Sequence, residues 1–360
     1  MEIQPCQINW GKINAMPLPG AVRMWNWHNF GLGDEFICAY RYRQPLFGSE
    51  QFHHGIMKTD GITVNYGGEE FLKFMEEQEK LREHMKTGAT DAYIEQTRTA
   101  FLWSFENILD LENYKHHEDW DSWQHMYTYY AGLKSMGVKV DFLTDESNFD
   151  VSKHPFMVVP AYQMMSLELI DKLQNYAQNG GHLLLSTRSG LKDERGHLWE
   201  TTIQQPIYDL IGGEINFYDH LPARYPGTLE INDETYPWHI WGEVVTPFDQ
   251  TQTWATYADQ FYQGKAAVTH QKTEEGSVTY IGAWSDNPDF EKLVLHKLYK
   301  EKTGLDLWNL PPYVFVEFRD GLWVAVNYTA KDQPIKLPSK KELLIGEDAP
   351  LQPGDVMVWK

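Results

Sequence analysis

The chain has 360 residues and carries 31 Lys and Arg against 51 Asp and Glu, a net charge of −20. This charge balance excludes an extended nucleic-acid or anionic-membrane surface, because both need clustered cations, and no apolar run is long enough to span a membrane. The hydrophobic share of 42% predicts a folded protein of more than one domain. Two cysteines, Cys6 and Cys38, and an opening without a signal-peptide pattern predict a cytoplasmic location.

Residues 1–90 alternate between loops, helices and a strand. An apolar stripe after Pro19 and Gly20 predicts a helix, residues 35–42 read as a strand, and residues 69–86 as an amphipathic helix. This order is typical of a (β/α)8 barrel, in which functional residues follow the strand ends. Two strands cannot close a barrel, so the sequence predicts a first domain, 1–90, that is the C-terminal part of one.

Residues 97–304 change to short apolar strands alternating with helices. The predicted strands are 100–103, 138–143, 156–160 and 182–186, and the predicted helices are 119–136, 166–179 and 290–303. Ser166 reads as an ordinary helix N-cap. Continuous apolar strands between helices are typical of buried parallel sheets. We therefore predict a flavodoxin- or amidotransferase-like, doubly wound α/β domain.

Residues 305–360 show short alternating segments. Asp320 and Gly321 form the turn of a predicted hairpin between strands 314–319 and 322–328. Further short strands are predicted at 335–337, 342–344 and 356–359. Together these segments predict a small antiparallel β-sandwich as the third domain.

Candidate chemical groups concentrate in residues 2–54. Glu2 follows the position of a barrel strand end, where a carboxylate can act as nucleophile or general base. Glu50 and His53 share one turn and can bind sugar hydroxyls in pairs, and Trp10 can pack on the apolar face of a hexose. Each residue alone also fits a surface carboxylate, a solvated histidine or a core tryptophan. Two ligands do not fix an ion, so we expect no metal and no cofactor.

A second candidate lies at the end of the predicted strand 182–186. Nucleophiles of amidotransferase-like domains occupy such a sharp turn, but neither cysteine is near it. Ser186 has no evident His or Asp partner in the sequence, and the spacing of Gly190 and Gly196 does not match a dinucleotide fingerprint. We expect no catalysis here.

Several blocks, in order and with consistent spacing, carry a family resemblance. They are residues 2–5 (EIQP), 8–10 (INW), 17–20 (PLPG), 41–45 (RYRQP), 50–53 (EQFH) and 180–190 (GGHLLLSTRSG). The chain resembles the C-terminal portion of glycoside hydrolase family 42 β-galactosidases. The resemblance implies retaining hydrolysis of terminal β-D-galactosides, with Glu2 as nucleophile and with Trp10, Glu50 and His53 lining the galactose subsite. It also implies that the α/β domain forms a homotrimer.

The resemblance assigns the general acid/base to an Asn-Glu pair on an earlier barrel strand, which has no counterpart in this sequence. Retaining cleavage needs two carboxyl groups about 5–5.5 Å apart. We therefore expect a truncated chain that is inactive alone and needs an N-terminal barrel half as partner. The alternative is a non-catalytic trimerisation or interaction module with an amidotransferase-like fold.

Overall fold

The computed structural model describes residues 2–200, 205–284, 287–337 and 341–360. The chain divides into two compact units, one formed by Met1–Ile94 with Trp308–Lys360 and the other by Glu95–Leu307. The predicted first and third domains therefore fall in the same unit. Their separation from each other stays a prediction.

The helices and strands follow one another in mixed order along the chain. The helices are α1 Ala21–Leu32, α2 Tyr66–Leu81, α3 Ala92–Thr97, α4 Phe105–Asn113, α5 Ser122–Ser135, α6 Leu167–Gln178, α7 Gln205–Ile211 and α8 Pro288–Thr303. The strands are β1 Glu2–Ile3, β2 Cys38–Ala39, β3 Thr99–Leu102, β4 Val140–Leu143, β5 Phe156–Val159, β6 His182–Ser186, β7 Gly213–Asp219, β8 Gly227–Ile231, β9 Glu234–Trp238, β10 Trp241–Pro247, β11 Gln252–Tyr257, β12 Ala266–Lys272, β13 Ser277–Ile281, β14 Ala283–Trp284, β15 Val314–Arg319, β16 Leu322–Asn327, β17 Leu343–Ile345 and β18 Val356–Trp359.

The first unit begins with a parallel pair of very short strands. β1 pairs with β2 in parallel, so Glu2 lies opposite Cys38, and α1 lies between the two strands in the chain. The predicted strand 35–42 is wrong in length, because only two of its residues pair with β1. The predicted helix 69–86 begins earlier, at Tyr66, where the Asn65 side chain accepts the Tyr66 N–H and caps the helix.

The C-terminal strands form one antiparallel sheet of four strands, in the order β15-β16-β18-β17. The predicted hairpin and the strand 356–359 are confirmed. The predicted second sheet of a sandwich is wrong, because α1 and α2 occupy the place of that sheet. Trp27 of α1 is fully buried there, with its ring edge against Phe30 and Phe74 at centroid distances of 5.5 and 5.2 Å. The predicted strand 335–337 is also wrong: Ile335 packs against the other sheet face without strand pairing.

The second unit is built on a mixed sheet of twelve strands. Its parallel part runs in the order β4-β3-β5-β6-β13, and the order continues in antiparallel fashion through β12, β11, β8 and β9. The strands β3 and β5, which are fully buried, and β6, which is buried after His182, confirm the predicted parallel core. Ser166 caps α6 by accepting the Leu169 N–H at 3.1 Å, as expected. The antiparallel strands between β6 and α8 were not predicted.

Candidate active site

The carboxylate of Glu50 is held in the loop between β2 and α2. Tyr40 Oη donates to Glu50 Oε2 at 2.7 Å, and Arg41 Nη1 donates to the same oxygen at 3.1 Å. Both donors directly follow β2, which ends at Ala39. The hydrogen bond to Glu50 raises the pKa of Tyr40, so its hydroxyl keeps the proton that it donates. Two donors thus fix one oxygen, and Oε1 has no hydrogen-bond partner among the described residues.

His53 is almost fully buried, with 1% of its surface exposed. Its Nε2 lies 3.2 Å from the Tyr40 carbonyl oxygen, and because a carbonyl only accepts, Nε2 carries the proton and donates. The His53 ring also meets the Tyr40 ring edge to face at 5.4 Å. Nδ1 has no partner in the described part of the chain. The main contact of His53 is therefore with Tyr40, the residue that holds Glu50.

Tyr40, Glu50 and His53 form one cluster, and Glu2 lies on β1, the strand paired with β2. Its side chain is exposed, and its Oε1 accepts a hydrogen bond from Gln4 Nε2 at 3.2 Å. The Tyr40 N–H donates to the Ile3 carbonyl at 3.0 Å, which continues the β1–β2 pairing up to Tyr40. After the larger effect of Glu50, the negative charge of Glu2 also raises the pKa of Tyr40. Main-chain pairing therefore places Glu2 on the strand next to the one that leads to Tyr40.

Trp10 is 68% exposed, so it is not a core tryptophan. The residue before it, Asn9, donates from Nδ2 to the Ser49 carbonyl at 2.5 Å. This bond joins the loop that carries Trp10 to the loop that carries Glu50. An exposed indole on a tethered loop is available for stacking on an apolar ligand face.

Tyr40 organises the cluster, although it was not among the predicted functional residues. It contacts Glu50 through its hydroxyl, and its carbonyl and ring contact His53. No local signal marked it, because a tyrosine in an apolar segment looks like an ordinary strand residue. Within the described residues, no group of three or more His, Cys, Asp or Glu side chains is arranged to hold a metal ion.

Ser186 does have a histidine partner, contrary to the expectation from the sequence. His125 Nε2 on α5 lies 2.9 Å from Ser186 Oγ, which also accepts the Ala161 N–H at 2.7 Å. Both side chains are fully buried, and burial lowers the pKa of His125 to about 3. His125 is too weak a base to activate Ser186, and a substrate cannot reach the buried pair. The hydrogen bond between them is therefore structural. No sequence signal could link residues 61 positions apart.

Two family models match this chain. One, described as the β-galactosidase trimerisation domain, matches residues 97–305. The other, described as β-galactosidase, matches residues 1–81. The residues of the Tyr40 cluster lie in the second of these matched segments, and the mixed sheet of the second unit lies in the first.

Curated relatives and solved structures agree with these matches. A β-galactosidase of Haloferax lucentense is 28% identical over 96% of this chain and 50% of its own length, and one of Thermus thermophilus is 27% identical over 100% and 52%. The crystal structure of a β-galactosidase from the psychrophilic Marinomonas ef1 has 25% identity and a TM-score of 0.84, with 100% of this chain and 52% of that chain covered. That of the haloarchaeon Halorubrum lacusprofundi has 26% identity and a TM-score of 0.85, with 99% and 52% covered.

The fold and the matched segments define a member of a glycoside hydrolase family. The chain belongs to the glycoside hydrolase family 42 β-galactosidases. It spans about half the length of the curated relatives that it matches. Among the described residues, no helix combines the length and apolar character that a membrane crossing requires.

Proposed function

We propose that this chain supplies the nucleophile and part of the galactose subsite of a retaining β-galactosidase. Glu2 is the nucleophile, Trp10 and Glu50 line the subsite, and the buried His53 packs behind Glu50 against Tyr40. The observation that carries the proposal is the Glu50 carboxylate, fixed by donors that directly follow β2, the strand paired with the one that bears Glu2. The β1-α1-β2 segment is then part of a (β/α)8 barrel, in which such groups gather at strand ends.

In this scheme the Glu2 carboxylate attacks the anomeric carbon, and the bond from that carbon to the leaving oxygen breaks. A galactosyl ester of Glu2 forms, and water then cleaves the ester with retention of configuration. The leaving oxygen takes its proton from a second carboxyl group about 5–5.5 Å from the first. The family resemblance assigns that group to no residue of this sequence, so a further barrel segment supplies it.

The 360-residue chain by itself is therefore inactive. Loss of general acid assistance alone costs about 10²–10⁴-fold in rate. Without the remaining barrel strands, Glu2 also lacks the groups that would orient the sugar toward it. A normal hydrolysis rate of a nitrophenyl β-galactoside by this chain alone would show that its own residues provide the acid.

Covalent trapping tests the assignment of Glu2. A 2-deoxy-2-fluoro-β-galactoside with a dinitrophenolate leaving group needs no proton, so it isolates the attack step. In protein that includes the complete barrel, peptide mass spectrometry is expected to find the galactosyl ester on Glu2. The Glu2→Gln variant should remain unlabelled, whereas Glu35→Gln, which replaces an exposed carboxylate on the same unit, should label like wild type. An ester on any other carboxylate refutes the assignment.

We further propose that the second unit holds three copies of the chain together. The support is the match of residues 97–305 to the family model described as a trimerisation domain. Sedimentation equilibrium is expected to give about three times the chain mass of 42.0 kDa. A concentration-independent monomer would contradict this role and would leave the assignment of Glu2 untouched.

A further inference from the structure

A cavity of about 380 Å³ opens in the second unit, at the carboxyl end of its parallel strands. Gln163 follows β5, and the segment from Arg188 to Lys192 follows β6; both line the cavity. Open α/β sheets bind their ligands at this end of the strands. The volume lies within the range of small-molecule sites, about 300–1,000 Å³.

Arg188 is the central charged group of the cavity and is only 2% exposed. Its guanidinium lies between the rings of Trp120 and Trp241, 4.4 Å from each centroid. It donates to Gln163 Oε1 at 2.9 Å and to the carbonyls of Lys115 and Tyr114 at 3.1 and 2.9 Å. All three acceptors are neutral. Two of the five donors of a guanidinium are thus unused, as far as the described residues go.

The other charges near the cavity leave Arg188 without a carboxylate on its guanidinium. Lys192 Nζ pairs with both oxygens of Asp110, at 3.0 and 2.7 Å, so these two charges offset each other. The buried Glu243 contacts Arg188 only at its main-chain N–H, 3.0 Å from Glu243 Oε1. Burial raises the pKa of Glu243 and lowers that of Arg188 to about 10. Arg188 thus stays protonated at neutral pH, and a buried cation of this kind favours an anionic partner.

The backbone around the cavity is held in a costly conformation. His116 and Arg188 both line it, and both have a φ of 65°, in the left-handed region that non-glycine residues seldom adopt. Such residues cluster at binding sites, where the surrounding fold holds them in position. Two of them at one cavity indicate a site that is shaped before any ligand arrives.

The remaining wall is mainly apolar and partly flat. Tyr218 and Trp241 stack on each other at 4.9 Å with an interplanar angle of 19°, and both line the cavity with Ile207 and Ile215. A flat apolar wall beside a cation selects a ligand with a planar apolar body and one negative end.

We propose that this cavity binds a small organic monoanion, a carboxylate carried on an aromatic or apolar body, with the carboxylate on Arg188 and the body against Tyr218 and Ile215. Lys192 adds attraction that Asp110 partly cancels. All of its residues belong to the second unit, whereas the residues of the galactose subsite proposed above belong to the first.

Isothermal titration of the 360-residue chain with indole-3-acetate, phenylacetate and benzoate tests the proposal. At least one of the three is expected to bind with a dissociation constant below about 1 mM. Its neutral amide should bind at least tenfold more weakly, because it loses the charge-assisted bonds to Arg188. The absence of saturable binding for all three acids, or equal affinity for acid and amide, would overturn the proposal.

Two substitutions with opposite expected effects on the affinity test whether the acid binds in this cavity. Asp110→Asn removes the charge that offsets Lys192, so the acid should bind more tightly, whereas Lys192→Met should weaken it severalfold. Lys297→Met, in the same unit but outside the cavity lining, should leave the affinity unchanged. Arg188→Met should abolish binding; if that variant does not fold by circular dichroism, the opposite signs at Asp110 and Lys192 remain decisive. Equal effects of Lys192→Met and Lys297→Met would refute binding in this cavity.

Discussion

His270 on β12 is a buried neutral imidazole whose replacement should change how stability depends on pH. It is 1% exposed, and its Nδ1 lies 2.9 Å from Thr279 Oγ1 on the neighbouring strand. Its ring stacks on Trp254 at 4.2 Å, and Nε2 has no partner within the described residues. Burial, with smaller contributions from nearby lysines, lowers the pKa of His270 to about 3.

The magnitude follows from proton linkage. In the unfolded chain the pKa of His270 is that of an ordinary, solvated histidine, 6.5, while the folded protein keeps the ring neutral down to about pH 3. Its contribution to stability is therefore complete above pH 6.5 and falls as the pH drops toward 3. At pH 5, protonation of His270 stabilises the unfolded state by ~2 kcal/mol, and the folded state, in which the ring stays neutral, gains nothing. The free energy of unfolding at pH 5 should therefore be ~2 kcal/mol lower because of this one residue.

Native-state hydrogen exchange measures this effect on the second unit alone. Peptides that cover β12 and β13 report the opening free energy at pH 7 and pH 5, after correction for intrinsic exchange. His270→Gln should destabilise the unit at pH 7, because it loses the stacking on Trp254. The difference in opening free energy between wild type and variant should be ~2 kcal/mol smaller at pH 5 than at pH 7. Gln124→Asn, at an exposed residue without a titratable group in the same unit, should show the same difference from wild type at both pH values.

The opposite outcome is a difference in opening free energy between wild type and His270→Gln that is the same at pH 7 and at pH 5. It would mean that His270 takes up its proton equally in the folded and unfolded states. The ring would then be reached by water in the folded protein, against its 1% exposure.

Three further substitutions probe the first unit and the parallel core. In protein that includes the complete barrel, Tyr40→Phe removes one of the two donors to Glu50 and should raise KM for a galactoside about fivefold, ~1 kcal/mol, with kcat changed less; an unchanged KM would contradict a role in the subsite. Trp27→Ala should cost ~3–5 kcal/mol in urea unfolding, because its ring is fully buried, and a loss below ~1 kcal/mol would show that the site collapses. Although burial opposes it, the hydrogen bond from His154 holds the pKa of Asp141 well below its usual range, so Asp141→Asn should destabilise by ~1–3 kcal/mol at pH 7. That loss should shrink as the pH falls below about 4, where the unfolded Asp141 takes up its proton, and a pH-independent loss would contradict the pairing.

Elements with a local signal could be predicted from the amino-acid sequence alone. The apolar runs of β3, β5 and β6 predicted a buried parallel core, because strands covered on both faces must be apolar along their whole length. Ser166 marked the start of α6, and Asp320 with Gly321 marked the hairpin, because caps and turns depend on neighbouring residues. The spaced blocks at residues 2–53 identified the family and the candidate residues without any coordinates.

Features that depend on contacts between distant residues became visible only in the folded chain. Whether β16 packs against a second sheet or against α1 depends on which apolar faces meet, and periodicity looks the same in both cases. Two hydrogen bonds likewise form only when separate segments come together: His125 with Ser186, and Tyr40 with Glu50. Side-chain hydrogen bonds and burial between distant segments are properties of the folded chain. The local sequence pattern indicates only the secondary structure that each segment favours.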